Sequence, residues 1–114
     1  MTLKDIKNII ASWKIPFAYF EFDATGTAPV PPFVVYFLDG SDDFMADNIN
    51  YQKVRTLHIE LYCNSKKESM GWEQTIENSF DSNDLSYQKE NDYISSERLY
   101  VTVYTMEVAY NEQQ

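Results

Sequence analysis

The sequence predicts an α+β fold: a largely antiparallel sheet of about five strands with two helices on one face, in the order α-β-β-β-α-β-β. Three observations carry this expectation. Two segments place apolar residues at helical spacing behind capping signals, beginning at Thr2 and at Ser65. Two long segments, residues 51–63 and 98–110, alternate as half-buried strands do. A third run, Phe33 to Leu38, is apolar or aromatic throughout and stands directly behind Pro31 and Pro32.

The first helix is expected from Leu3, Ile6, Ile9, Ile10 and Trp13, with Thr2 and Asp5 spaced as a capping box. Pro16 should end it, because the residue before a proline is pushed out of the α region. Residues 17–22 read as a short aromatic strand and residues 23–32, with Gly26 and three prolines, as a loop. Prolines 31 and 32 have no amide to give a ladder, which sets the next strand's start at Phe33. The lack of alternation in that strand implies cover on both faces.

Residues 39–50 form a polar connection with four aspartates, Asp39, Asp42, Asp43 and Asp47. In the strand over 51–63, Leu57, Ile59, Leu61 and Cys63 share one face, opposite Thr56, His58, Glu60 and Tyr62. Ser65 and Glu68 open a helix to about residue 80, with Trp72, Ile76 and Phe80 in one stripe. Residues 85–90 are expected as a strand, 91–96 as a turn and 98–110 as the last strand. The core is expected to join Leu57, Ile59, Leu61, Leu99, Val101 and Val103 to Trp72, Ile76 and Phe80. Residues 1–110 read as a single domain and 111–114 as a frayed tail.

Composition narrows the function classes. The chain has 114 residues, enough for one core. Its 18 acidic and nine basic residues give a net charge of −9, and no Lys/Arg cluster exists to hold phosphates. Duplex nucleic acid and anionic membranes are therefore disfavoured as partners. Nine Tyr, seven Phe and two Trp are a large aromatic share for a small domain, and tyrosine is enriched at protein–protein contacts. One cysteine allows no internal disulfide, which fits a reducing compartment. No window reaches the roughly 20 apolar residues of a membrane span, and the N-terminus does not read as a signal peptide. These features suggest a soluble protein, intracellular when made.

Little in the sequence points to chemistry. His58 is the single histidine, and it projects with Glu60 and Tyr62 as a solvated or interface residue would. Cys63 continues an apolar strand face and reads as a buried small hydrophobe. The aspartates of residues 39–47 lack the ligand spacing and final Glu of a calcium loop. Three glycines, Gly26, Gly40 and Gly71, make no phosphate-cradling loop, and no nucleophile motif occurs. Catalysis is not expected, nor a cofactor or metal. The segment SDDFMADNINY, residues 41–51, stands out because Phe44 and Met45 are large apolar residues inside an acidic loop. It reads either as a lid over the core or as an arm presenting its apolar tip to a partner. Asp42, Asp43, Phe44, Met45, Asp47, Asn48 and Ile49 are its candidate interface residues.

The order of elements, together with PVPPFVVYFL, DGSDDFMADNIN, YQKVRTLHIELYC and KKESMGWEQTIENSF, resembles small tail-completion proteins of siphophages and prophages in Gram-positive bacteria. Such proteins are similar in fold to tail terminator and tail-to-head joining proteins. The resemblance covers roughly residues 3–110 and is one of arrangement, without a catalytic signature. It implies a tail-terminator-like fold and a virion protein that forms a ring, commonly a hexamer. Its implied partners are further copies of itself, the tail tube and the head connector proteins, and it would reside in the host cytoplasm during assembly. A head-closure or other connector component, or a small acidic protein-binding module of prophage or host origin, is the alternative. Oligomeric state separates the two classes.

Overall fold

The computed structural model describes residues 2–20, 29–39 and 53–110, without the side chains of residues 53, 54, 109 and 110. Helix α1 spans Leu3–Ala11, and its start follows from the expected capping box. The Thr2 hydroxyl accepts from the Asp5 amide at 3.3 Å, and the Asp5 carboxylate accepts from the Thr2 amide at 3.0 Å. Ile6 and Ile10 are buried, with Leu3 and Ile9 packed beside them. The helix stops about a turn before Pro16. The Ser12 amide bonds back to Asn8 and Ile9, and Lys14 takes a left-handed φ of 62°. This turn lets Trp13 reach the second helix, α2 (Lys66–Ser82), where its indole N–H donates to the Ser79 hydroxyl at 2.9 Å.

Five strands follow: β1 (Phe17–Tyr19), β2 (Phe33–Leu38), β3 (Lys53–Cys63), β4 (Gln88–Ile94) and β5 (Leu99–Tyr110), with α2 (Lys66–Ser82) between β3 and β4. They form one open sheet in the order β1-β2-β3-β5-β4. Every pairing is antiparallel except β1 with β2, which run parallel, so the sheet is mixed. The architecture is the small α+β fold expected, with β2 starting at Phe33 behind the prolines.

Both helices cover the same face. Ile6 and Ile10 of α1 and Ile76 and Phe80 of α2 share one core with Val34, Tyr36, Leu57, Ile59, Leu61 and Cys63. Trp72 packs on that core only partly buried. At the start of α2 the Ser65 hydroxyl accepts from the Glu68 amide at 3.1 Å. The Glu68 carboxylate reaches one residue further back than in a capping box, to the Asn64 amide at 2.8 Å.

Two expectations are corrected. The core face of β5 is the opposite of the one read from the sequence. Tyr104 lies across from Ile59, Met106 from Leu57 and Thr102 from Leu61, so these residues face the helices while Leu99, Val101 and Val103 face away. Both faces of β5 carry large apolar residues, and the buried set includes the polar Thr102, which made the other set look like the cleaner core. The fourth strand is also shifted, from 85–90 to Gln88–Ile94. Leu85 and Tyr87 lie before the strand and pack on the core, and the Leu85 amide caps α2 through the Phe80 carbonyl at 2.9 Å. The strand itself is almost wholly polar, as an exposed edge should be.

Cover over β2 is likewise uneven. Val34 and Tyr36 are buried under the helices; on the other face Phe33 is buried as well, while Val35 and Phe37 are half-buried. That second face is sheltered by flanking rings and by no described helix.

Candidate functional site

Two constellations stand out in the folded chain, one buried and one on the face of the sheet turned away from the helices. The buried one centres on Glu73, which α2 aims between β4 and β5. Its Oε2 accepts from the Thr102 hydroxyl at 2.6 Å, the Asn91 amide nitrogen at 2.8 Å and the Ser69 hydroxyl at 3.1 Å. Its Oε1 lies 3.0 Å from the Lys89 ammonium, which is also 2.7 Å from Glu77 Oε2. The Tyr104 hydroxyl donates to that Glu77 oxygen at 2.8 Å.

Burial by itself would raise the Glu73 pKa, but hydrogen bonds from Thr102, Lys89 and Asn91 outweigh it and hold the carboxyl below the ordinary glutamate value. Lys89 is pushed the other way: burial disfavours its charge, but the bonds to Glu77 and Glu73 prevail and raise its pKa. Burial and the Glu77 carboxylate push the Tyr104 hydroxyl far up. Every member has a partner, and the carboxylate is held ionised, so the cluster ties α2 to the polar edge strand. Such a site is poorly placed to exchange protons.

The face turned away from the helices is lined by β2, β3, β4 and β5. Along it Phe33 stacks on Tyr62 with ring centroids 4.9 Å apart, and Phe37 stacks on His58 at 5.1 Å. Phe20, 65% exposed, meets Phe37 edge to face at 6.0 Å. Val101 and Val103 continue this ridge on β5. His58 is half-buried, with Nδ1 3.4 Å from the Thr105 hydroxyl and Nε2 3.9 Å from Asp39 Oδ2. The Tyr62 hydroxyl donates to Glu60 at 2.7 Å, and burial together with this bond raises its pKa.

The remaining features are spoken for. Cys63 is fully buried, and its thiol is pushed up to about 12 by burial, with the Glu68 and Glu73 charges adding to the effect. A shallow groove of about 480 Å³ beside Gly71 and Trp72 includes Glu68, whose carboxylate is committed to the α2 cap. Among the described residues no group of three His, Cys, Asp or Glu could hold a metal ion. No described helix is long and apolar enough to cross a membrane.

The chain matches no protein-family model, no curated protein and no solved structure. The candidate interface residues Asp42, Asp43, Phe44, Met45, Asp47, Asn48 and Ile49 lie outside the described residues. Sequence reasoning missed the Glu73 cluster, although Ser69, Glu73 and Glu77 stand one helical turn apart and Lys89 and Asn91 alternate on a polar strand. It also missed the cross-strand ring pairs, which depend on register between β2 and β3.

Proposed function

We propose that this protein is a structural assembly component that acts through interfaces and forms a ring, completing a phage or prophage tail at its junction with the head. The observation that carries the reading is the one-sided sheet, helices on one face and a ridge of Phe20, Phe37, His58, Tyr62 and Val103 on the other. An isolated domain has little use for paired aromatic rings on a half-covered face, whereas a subunit of an assembly buries them against its neighbour. The assignment to tails, and of the ring as the form of the assembly, rests on the resemblance in element order and local sequence. The protein's place is then the virion, at the tail or head–tail interface, with the tail tube and head connector proteins as neighbours. Residues 41–50 serve in this reading as an arm whose Phe44 and Met45 contact one of them.

Light scattering on the purified chain over a concentration series, with complementation of a phage lacking the gene, tests the proposal. A discrete cyclic oligomer and tails that fail to join heads without the protein are expected. A chain that stays monomeric and leaves tails complete in its absence would sink it. Phe44→Ser/Met45→Ser is expected to stay within about 1 kcal/mol of the parent in stability and to block incorporation into tails.

A further inference from the structure

The charged groups are segregated across the sheet. Strand residues facing away from the helices include four carboxylates, Glu60, Glu90, Asp92 and Glu107. No described lysine or arginine side chain shares that face. Lys89 and Arg55 point to the helical side, Lys89 to Glu73 and Glu77 and Arg55 to the Asp39 carbonyl at 2.8 Å. Lys66 and Lys67 begin α2, and Arg98 sits in the turn between β4 and β5. The outer side of α1 carries exposed Lys4 and Lys7, one turn apart, with Lys14 exposed just beyond the helix. Asp5, the acid on this helix, is committed to the Thr2 cap. The outer side of α1 thus carries positive charge, and the sheet face turned away from the helices is anionic and aromatic.

We infer that the acidic aromatic face of one copy takes the Lys4–Lys7 side of α1 of the next copy, which is the contact that propagates the ring. This rests on the proposal that the chain self-associates and adds which two surfaces meet. Face-to-face pairing of two sheet faces would set four carboxylates against four. A contact between unlike surfaces instead matches charge and leaves one free surface at each end, complementary to each other, so that it closes into a ring when the rotation per subunit allows. The rings suit the lysines as well, since ammonium groups are drawn to aromatic faces within about 6 Å. A second copy is favoured over a foreign basic protein because this chain itself carries the complement.

The test reverses each surface in the full-length chain and reads assembly by sedimentation velocity. Lys4→Glu/Lys7→Glu and Glu90→Lys/Glu107→Lys alter exposed residues, and circular dichroism melts verify that both variants fold. Each is expected to sediment as monomer at a concentration where the parent chain is assembled. A chain carrying all four reversals is expected to regain the oligomer, as is an equimolar mixture of the two double variants. Raised salt should dissociate the parent oligomer, because exposed charges are screened over about 3 Å at 1 M. Oligomers unaffected by either double reversal would overturn the inference while leaving the ring standing. Loss in both variants without recovery in the fourfold chain would also overturn it. A parent chain monomeric at every concentration would remove the self-association reading and this inference together.

Discussion

The Glu73 carboxylate on α2 and the Thr102 hydroxyl on β5 are 2.6 Å apart in the core, and this bond fixes which face of β5 meets the helices. A one-residue slip of β5 would turn Thr102 outward and leave Glu73 with a buried charge short of a donor. The same oxygen also takes Asn91 and Ser69, so one side chain holds α2, β5 and the edge strand β4 in register.

Glu73→Ala should therefore be among the more damaging single changes. It leaves three neutral donors, two of them the buried Ser69 and Thr102 hydroxyls, short of an acceptor while Lys89 keeps Glu77, so a loss of about 1–3 kcal/mol is expected. Thr102→Val keeps the shape and removes one hydroxyl, so about 1 kcal/mol is expected. Urea denaturation of both variants measures the difference. Equal, small losses would mean that the cluster contributes little to the fold.

The same carboxylate gives the protein an acid limb. The folded-state pKa of Glu73 is depressed, so its stabilising contribution is complete above the ordinary glutamate value near 4.5. It is lost as pH falls through the lowered folded value. Urea midpoints measured from pH 7 down to pH 2 should fall below about pH 4.5, and Glu73→Gln should flatten that fall. An identical slope in the variant would assign the acid sensitivity to other carboxylates.

β5 itself offers a direct comparison of faces. Leu61→Ala, at a fully buried position, should cost about 2–5 kcal/mol, and Met106→Ala a similar amount. Val103→Ala, half-buried on the far face, should cost under about 1 kcal/mol. A larger loss at Val103 than at Met106 would restore the face read from the sequence.

Much of the fold is legible without coordinates because its signals are local. Thr2 with Asp5, Ser65 with Glu68, and Pro31-Pro32 before Phe33 act through bonds or sterics within a few residues, and each start was placed correctly. The face of β5 was not legible, since either face offered enough apolar residues and only the partner Glu73, 29 positions away, decides for Thr102. The edge strand was displaced for a related reason. Leu85 and Tyr87 gave the apolar signal of a strand, but they are drawn into the core at the end of α2, and the strand follows in the polar stretch. The ring pairs Phe33–Tyr62 and Phe37–His58 required the β2–β3 register, which no short window of sequence contains.

Cys63 should be inert in the folded protein. With the thiol fully buried and its pKa raised to about 12, little thiolate exists at pH 8, and reagent cannot reach it. A colorimetric disulfide reagent should report essentially no thiol in the native chain and one per chain in denaturant. Rapid native labelling would show that the β3 end opens readily.

The face turned away from the helices can be separated from the fold by a change at its most paired ring. Phe37 stacks on His58 and meets Phe20 edge to face, yet it is only half-buried. Its contacts are with surface rings, and the core beneath is closed by Val34 and Tyr36 on the opposite face of the same strand. Phe37→Ser should therefore cost about 1–2 kcal/mol through lost apolar contact and leave circular dichroism unchanged. If the ridge is an assembly surface, the same substitution removes an aromatic anchor from the centre of a buried contact, where such residues carry more than their share of affinity. The oligomer should then dissociate at least 10-fold more readily, equivalent to about 1.4 kcal/mol per contact. Light scattering of parent and variant at matched concentrations measures this. A folded variant that assembles like the parent would leave the ridge without a role in association, and a variant that unfolds would make Phe37 part of the core.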